Sequence, residues 1–197
     1  MTVDGRIEIM IASSVYGYED QINQICGIFE QMGYKPISSH YKTMLVDPTL
    51  SNMQNCLNAV EKCDIFFGIL RPYYGSGIIE ETSITHEEMK KAIELKKPHW
   101  FIAHRDIRVA RTLLRQYRFN ADKTKNRDFV YKSNKILDDI RVVDMYEDTI
   151  QNDISVEERV GHWTDEFFDI NDIIKVVQTQ FEDTKRILQI IEKMKAL

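Results

Sequence analysis

Several polar side chains lie where apolar runs of the sequence end, and their types suit the binding of a small polar ligand. They offer hydroxyl groups, one cation, two phenols, a glycine and one carboxylate. The residues are Ser13, Ser14, Arg71, Tyr73, Tyr74, Gly75, Ser76, Ser83, Thr85 and Glu88. Hydroxyls and a cation can hold a phosphate or a ribose, and a phenol ring can stack on an aromatic base.

This composition predicts a nucleotide-like ligand. We expect Ser13, Ser14 and Arg71 to hold its phosphate or ribose, and Tyr73 or Tyr74 to stack on its base. The alternative is that the tyrosines and glycines only shape a surface loop between residues 71 and 83. Long loops inside compact domains are more often functional, which favours the ligand.

Glu88 allows two interpretations. Thr85 and Glu88 have the spacing of a capping box, in which each side chain bonds a free backbone N–H at the start of a helix. A helical side chain also leans towards the helix N-terminus, so Glu88 would point into the mouth of the loop, where the positive end of the helix favours an ionised carboxylate. The sequence leaves both roles open. Glu80, Glu81 and Glu87 are expected nearer to solvent.

An alternation of strands and helices would position these groups. Apolar runs predict strands over residues 6–13, 34–39, 64–70, 98–104 and 140–146. Apolar spacings of three and four predict helices over residues 19–32, 52–62, 84–95 and 107–117, and residues 119–133 are predicted as a loop. The alternation predicts an α/β protein with a flavodoxin-like, doubly wound five-stranded parallel sheet in the order 2-1-3-4-5. Ligands bind such sheets at the carboxyl ends of strands one and three.

The chain changes character after residue 147. We therefore expect an α/β domain over residues 1–147, and an acidic linker with a long C-terminal helix over residues 148–197. The predicted helix, residues 169–194, has a heptad-like apolar seam: Ile173, Val177, Phe181, Leu188 and Ile191. This seam could cover its own sheet or pair with a second subunit, and we expect a homo-oligomer formed through it.

Composition narrows the class of protein. The formal net charge of −5 argues against broad nucleic-acid binding, which needs many cations to neutralise phosphates. No apolar run approaches the ~20 residues of a membrane span and no signal segment precedes the first strand, so a cytoplasmic protein is expected. Cys26, Cys56 and Cys63 lack metal-ligand spacing and are expected to be buried and reduced. No metal and no required cofactor are predicted.

Several short motifs follow one another in a fixed order along the chain. They are I-A-S-S at residues 11–14, C-L-x-x-V at 56–60, D-I-F-F-G-I-L at 64–70, Y-G at 74–75, S-x-T-x-x-E-x-x-x-A at 83–92 and K-P at 97–98. Their order resembles a mostly prokaryotic family of domains of unknown function, in which the first strand ends in I-S-S-T, an R-Y-G loop follows the third strand and S-x-T-x-x-E opens the next helix. That family is similar in turn to Toll/interleukin-receptor (TIR) domains and to nucleoside 2-deoxyribosyltransferases.

The resemblance implies a TIR-like fold and a catalytic glutamate. Deoxyribosyltransferases use the Glu of T-x-x-E as a nucleophile on the sugar, and NAD-cleaving TIR-type domains use a Glu at a similar place, so both parallels implicate Glu88. The expected function is cleavage or transfer at the N-glycosidic bond of NAD or a nucleotide, in prokaryotic defence or stress signalling. Many TIR-type domains only assemble, so the alternative is a non-catalytic interaction or ligand-sensing module. The chain departs from the family patterns at Val15, Pro72 and Lys90.

Overall fold

The protein is built on a five-stranded parallel sheet. A computed structural model describes residues 5–75, 77–79, 82–159 and 162–196. Counted along the chain, the five strands of the sheet are hydrogen-bonded in the order 2-1-3-4-5, and every neighbouring pair is parallel. The predicted 2-1-3-4-5 order and flavodoxin-like class are therefore confirmed. The strands are β1 (Glu8–Ser13), β2 (Lys35–Ile37), β3 (Ile65–Leu70), the short antiparallel pair β4 (Ile78–Ile79) and β5 (Thr82–Ser83), β6 (His99–His104) and β7 (His162–Phe167).

Helices cover both faces of the sheet. On one face the first helix and the last two helices enclose a core with Ile9, Ile11 and Phe67, and on the other face the four helices between them enclose a core with Met10 and Phe66. No helix among the described residues is long and apolar enough to cross a membrane. The helices are α1 (Glu19–Gln31), α2 (Asn52–Lys62), α3 (Ile84–Glu94), α4 (Arg105–Arg118), α5 (Arg141–Thr149), α6 (Ile170–Phe181) and α7 (Thr184–Lys195), with a 3-10 turn at Val156–Glu158.

The prediction of a fifth strand over residues 140–146 is wrong. That segment forms α5, and its buried residues Val142, Val143, Tyr146 and Thr149 follow a helical spacing. The fifth strand is β7, which pairs only with β6 among the described strands. An edge strand of this kind needs no continuous apolar run, and its sequence, HWTDEF, is largely polar, so it carries little strand signal.

The predicted single C-terminal helix is also wrong, because two shorter helices replace it. The break falls between α6 and α7, where the Asp183 side chain accepts a hydrogen bond from the Arg186 N–H at 3.0 Å and caps α7. Ile173, Val177 and Ile191 are buried in the same core as α1.

The apolar seam thus covers its own sheet. The feature that suggested a dimer has an intramolecular explanation, and a homo-oligomer stays a prediction. The division of the chain after residue 147 also stays a prediction, although β7, α6 and α7 belong to the common sheet and core.

Phe181 lies at the centre of the core that α6 closes. Its ring packs against Phe29 and Trp100, with ring centres 5.1 and 4.9 Å apart. Its backbone oxygen accepts a 2.7 Å hydrogen bond from the hydroxyl of Tyr34. These contacts join the C-terminal segment to α1, to the residue just before β2 and to β6.

Candidate functional site

A cavity of about 610 Å³ opens at the carboxyl ends of β1 and β2, between the N-termini of α2 and α3. Its apolar floor includes Met10 and Ala12, which point to the same face of the sheet. The size lies in the range of small-molecule sites. Its polar lining residues are Ser13, Ser14, Tyr16, Ser38, Ser39, Lys42, Asn52, Asn55, Cys56, Thr85 and Glu88.

Glu88 is a buried member of this lining, with 6% of its surface exposed. The N-cap of α3 is Ser83, whose hydroxyl accepts a hydrogen bond from the His86 N–H at 3.2 Å. The helix begins directly after β5, so Thr85 already lies in its first turn. The capping-box interpretation of Thr85 and Glu88 is therefore wrong, and Glu88 has no role at the helix end.

The surroundings of Glu88 shift its titration strongly. Burial raises the pKa of the Glu88 carboxyl to about 7, against an opposing hydrogen bond from the Cys56 thiol. Burial and the nearby Glu88 charge raise the pKa of Cys56 to about 12, so the thiol stays protonated and remains a donor. No cation among the described residues contributes to the Glu88 shift. A buried carboxyl that titrates near neutrality is a typical feature of functional sites.

Ser14 offers the cavity an unused hydroxyl. The residue is 6% exposed, and its Oγ has no hydrogen-bond partner among the described residues. Gly75 packs against it with a positive φ of 94°, and a Cβ on Gly75 would lie 3.2 Å from the Ser14 Cβ. The positive φ strongly favours glycine at this position, and a Cβ there would also pack tightly against Ser14. An unpaired buried hydroxyl is costly, which makes it a natural partner for a ligand.

Arg71 does not line the cavity. Its guanidinium donates hydrogen bonds to the backbone oxygens of Ser14 at 2.8 Å and Tyr16 at 3.0 Å, and it lies 4.4 Å from the ring centre of Tyr18. Arg71 therefore braces the loop after β1, and the structure gives it no direct place beside a ligand in the cavity.

The aromatic residue in the cavity lining is Tyr16, which is 74% exposed. Tyr73 lies behind it, with stacked rings 5.8 Å apart and 27° between their planes. The sequence drew attention to Tyr73 and Tyr74, but neither lines the cavity. Tyr16 was missed because it follows a strand end in a short polar turn with no other signal.

Tyr74 belongs to a chain of hydrogen bonds outside the cavity, which runs from the buried side chains of Tyr74 and His86 to the half-exposed carboxylate of Asp148. Its hydroxyl lies 2.8 Å from the Nδ1 of His86, and the Nε2 of His86 lies 2.7 Å from the carboxylate of Asp148. The same hydroxyl accepts a hydrogen bond from the Ser83 N–H at 3.3 Å. His86 thus has a structural partner on each ring nitrogen. Among the described residues no group of His, Cys, Asp and Glu is arranged to hold a metal ion.

The loop between β2 and α2 forms the remaining wall. The Asn55 side chain donates to the backbone oxygens of Asp47 and Ser51 and accepts from the Asp47 N–H at 2.7 Å, which fixes the end of this loop. Lys42 lies on the same loop. The sequence assigned Cys56 to the inner face of a helix and called residues 40–50 irregular, so it missed this wall. The position of the loop at a carboxyl strand end was the available signal.

The predicted site residues fall into three groups. Ser13, Ser14, Gly75, Thr85 and Glu88 line the cavity. The remaining described ones, Arg71, Tyr73, Tyr74 and Ser83, support it from outside. Ser76, like Glu80 and Glu81, lies outside the described residues.

A larger open groove, about 1240 Å³, lies between α4 and α5. Two of its acidic side chains are paired with arginines: Glu147 bonds Arg111 at 3.0 Å, and Asp144 bonds Arg118 at 2.7 Å. No predicted site residue lines it. The predicted site residues therefore lie at the smaller cavity and not at this groove.

A comparison of the sequence with protein-family profiles identifies the family of the chain. Residues 8–161 match the profile of the family described as Domain of unknown function (DUF4062). The chain belongs to this family. The expected membership of a family of domains of unknown function is thus confirmed, and the cavity described above lies within the DUF4062 region.

Other comparisons add the following. No curated protein matches the chain. A solved structure of the Clostridium botulinum CMP N-glycosidase BcmB is similar, at 10% sequence identity and a TM-score of 0.45, over 87% of this chain and 98% of that one. A likeness at this level supports no statement about the substrate of the DUF4062 domain.

Proposed function

We propose that the cavity binds a nucleotide-type ligand, including NAD, and that Glu88 acts on its N-glycosidic bond. The observation that carries the proposal is a carboxyl that is nine-tenths buried in the wall of a hydroxyl-lined cavity, with a pKa of about 7 and no role in capping its helix. A buried ionisable group without an ion-pair partner destabilises the fold. A role in ligand chemistry accounts for its presence.

The carboxylate of Glu88 can stabilise a positive charge that develops on the sugar of the ligand. As the C1′–N bond breaks, its electron pair leaves with the base and C1′ becomes cationic. A carboxylate at this point stabilises the cation or bonds to C1′, and water then takes the place of the base. The developing positive charge lowers the pKa of Glu88 and favours its ionised form.

A single carboxyl is sufficient for one class of leaving group. Nicotinamide leaves NAD as a neutral molecule from a pyridinium cation, so no acid is needed to protonate it. O-glycosidases, by contrast, need a second carboxyl for the oxygen leaving group. Glu88 is the only carboxyl among the described lining residues, which favours a cationic leaving group.

The other lining residues suit the rest of such a ligand. The free hydroxyl of Ser14 and the hydroxyl of Thr85 can bond a ribose, and the exposed ring of Tyr16 can stack on a base. Tyr73 and Arg71 support Tyr16 from behind, so its ring is held in place before a ligand binds.

Incubation of the pure protein with NAD and with a panel of nucleotides tests the proposal, with released base followed by chromatography. We expect base release that disappears in Glu88→Gln. The matched control is Glu87→Gln, because Glu87 is the neighbouring glutamate and pairs with Lys90 at 2.8 Å outside the cavity. Full turnover in Glu88→Gln would contradict the catalytic role, and the measurement should extend to high protein concentration in case activity requires assembly.

A non-catalytic interaction module is the second candidate. The observation that favours it is an apolar stripe on α4, where Val109, Leu113 and Tyr117 are 45%, 63% and 56% exposed at four-residue spacing. Ligand binding without base release, together with loss of self-association on changing Leu113 to Glu, would support this function. The defence or stress pathway stays a prediction.

A further inference from the structure

We infer that Lys42 binds a phosphate of the ligand, so that the cavity selects nucleoside phosphates over free nucleosides. This deepens the proposed function, on which it rests, by naming the ligand class and the residue that selects it. From the sequence we expected Ser13, Ser14 and Arg71 to hold the phosphate or ribose. The guanidinium of Arg71 instead bonds the backbone oxygens of Ser14 and Tyr16. The structure thus moves the cationic role to another loop.

Lys42 is the only cation among the described lining residues of the cavity. It is exposed, and none of the ion pairs formed by lysines of the described residues includes it. The only carboxyl of the described lining is Glu88, which is buried and takes up a proton near neutral pH. The mouth of the cavity therefore carries positive charge that the described lining does not balance.

The position of Lys42 is fixed by its turn. Its backbone adopts a left-handed φ of 60°, which is unusual for a residue other than glycine. Next to it, the Thr43 N–H donates to the Ser38 oxygen at 3.2 Å, and the Ser38 N–H donates to the Thr43 hydroxyl at 3.1 Å. These bonds hold the start of the lysine side chain beside the cavity.

Two further features favour an anion in the same cavity. The first turns of α2 and α3 contribute Asn52, Ile84 and Thr85 to the lining, and the N-terminal end of a helix is electropositive. The buried hydroxyl of Ser14 has no partner among the described residues and can donate to a ligand oxygen. These donors and Lys42 surround one volume, so a ligand with negatively charged oxygens fits better than a neutral nucleoside.

The arrangement orders the parts of the ligand. Glu88 is buried and Lys42 is exposed, so the sugar carbon that reacts lies deep and the phosphate lies near the mouth. A nucleoside monophosphate and the nicotinamide mononucleotide half of NAD share this chemistry. Both place a phosphate on the sugar that carries the scissile bond.

Calorimetric titration of matched ligand pairs tests the inference. The full chain with Glu88→Gln serves as the background, so that binding is measured without turnover. The pairs are AMP and adenosine, CMP and cytidine, and nicotinamide mononucleotide and nicotinamide riboside. We expect at least one monophosphate to bind about 10-fold or more tightly than its nucleoside, as expected for a charge-assisted hydrogen bond.

Adding Lys42→Gln should abolish this preference, because the monophosphate should bind more weakly while the affinity for the nucleoside stays unchanged. Lys42→Arg in the same background should restore the preference. Lys96→Gln is the matched control, because Lys96 is also an exposed lysine with a positive φ, 50°, but lies before the amino end of β6, whereas the cavity lies at the carboxyl ends of the strands. It should leave both affinities unchanged.

The outcomes separate the two proposals. A phosphate preference that persists in Lys42→Gln overturns the assignment of Lys42 while leaving the nucleotide site intact. Equal affinity for phosphate and nucleoside before any change to Lys42 overturns the selection itself. If no member of any pair binds, the proposed function fails and the inference fails with it.

Discussion

Replacing Glu88 by glutamine should remove activity and, above pH 7, make the protein more stable. Both effects follow from one property, the raised pKa of a carboxyl with only 6% of its surface exposed. Glutamine has nearly the same shape, and its side-chain oxygen can still accept the hydrogen bond from the Cys56 thiol. The variant therefore removes the charge with little change in packing.

The direction of the change in stability with pH follows from the number of protons that the folded and unfolded states bind. The pKa of Glu88 is about 7 in the folded protein and 4.5 in its ordinary state. Between these values the folded state holds a proton that the unfolded state has lost, so stability falls as pH rises. The stabilising effect is complete below about pH 4.5 and is lost by about pH 7. Glutamine does not titrate, and the variant avoids this loss.

The size of the stability difference follows from the same two pKa values of Glu88. The difference between about 7 and 4.5 corresponds to about 3 kcal/mol, at about 1.36 kcal/mol per pKa unit. For a protein of this size, about 3 kcal/mol corresponds to a rise in melting temperature of roughly 6–12 °C. We expect this difference between variant and wild type at pH 8, and close to none at pH 4.5. Base release should fall about 100-fold or more, since a main electrostatic element is lost.

Urea unfolding at several pH values between 4.5 and 8 measures the free energy of unfolding for both proteins. Glu87→Gln is the control, because Lys90 lowers the pKa of the more exposed Glu87 and the change should not stabilise the protein at pH 8. Parallel curves for wild type and Glu88→Gln would refute the reasoning, since they would mean that Glu88 has the same pKa folded and unfolded.

Three further predictions test the surroundings of the cavity and the core. Cys56→Ala removes the hydrogen-bond donor that lowers the pKa of Glu88, so that pKa should rise. The acid limb of the pH profile of base release should then move to higher pH, whereas Cys56→Ser should largely retain the original limb. Tyr16→Ala should weaken nucleotide binding about 10-fold in calorimetry, as expected for the loss of a stacking ring, and Tyr16→Phe should not; equal affinities for all three would contradict the stacking role. Phe181→Ala should lower the free energy of unfolding by about 3–5 kcal/mol in urea, because the aromatic core around it loses its centre; a loss below about 1 kcal/mol would contradict its position there.

The sequence predicted those parts of the fold that leave a periodic apolar signal. Four of the five sheet strands and the order of the sheet followed from buried runs such as the one in β3, where every residue is buried. The fifth strand could not be found in this way, since β7 is a polar edge strand and α5 has a denser apolar content. The break between α6 and α7 depends on a cap at Asp183 that interrupts an otherwise regular spacing.

The cap of α3 was misplaced for a similar reason. Ser83 and Thr85 are both good N-cap residues, and the sequence favoured Thr85 because of its spacing to Glu88. The structure selects Ser83 because β5 ends there and the chain enters the helix at once. Only the tertiary position of that short strand decides between two residues with equal local preference. The position of the cap matters for function, because with Ser83 as the N-cap Glu88 does not cap the helix.

The sequence does indicate that the side chains of Arg71 and Ser14 lie on different faces of the sheet. This follows when the alternation of side chains between the two faces is continued past the end of each strand. In β3, Ile69 faces the core under α1 and Leu70 faces the other core, so the next residue, Arg71, returns to the α1 side. In β1, Ile11 faces the α1 side, so Ser14, three residues later, faces the other. The alternation therefore separates Arg71 from Ser14 across the sheet. The cavity lies on the face of Ser14. This is the physical reason that Arg71 braces the loop, and it is why we assign the phosphate to Lys42 on the β2–α2 loop.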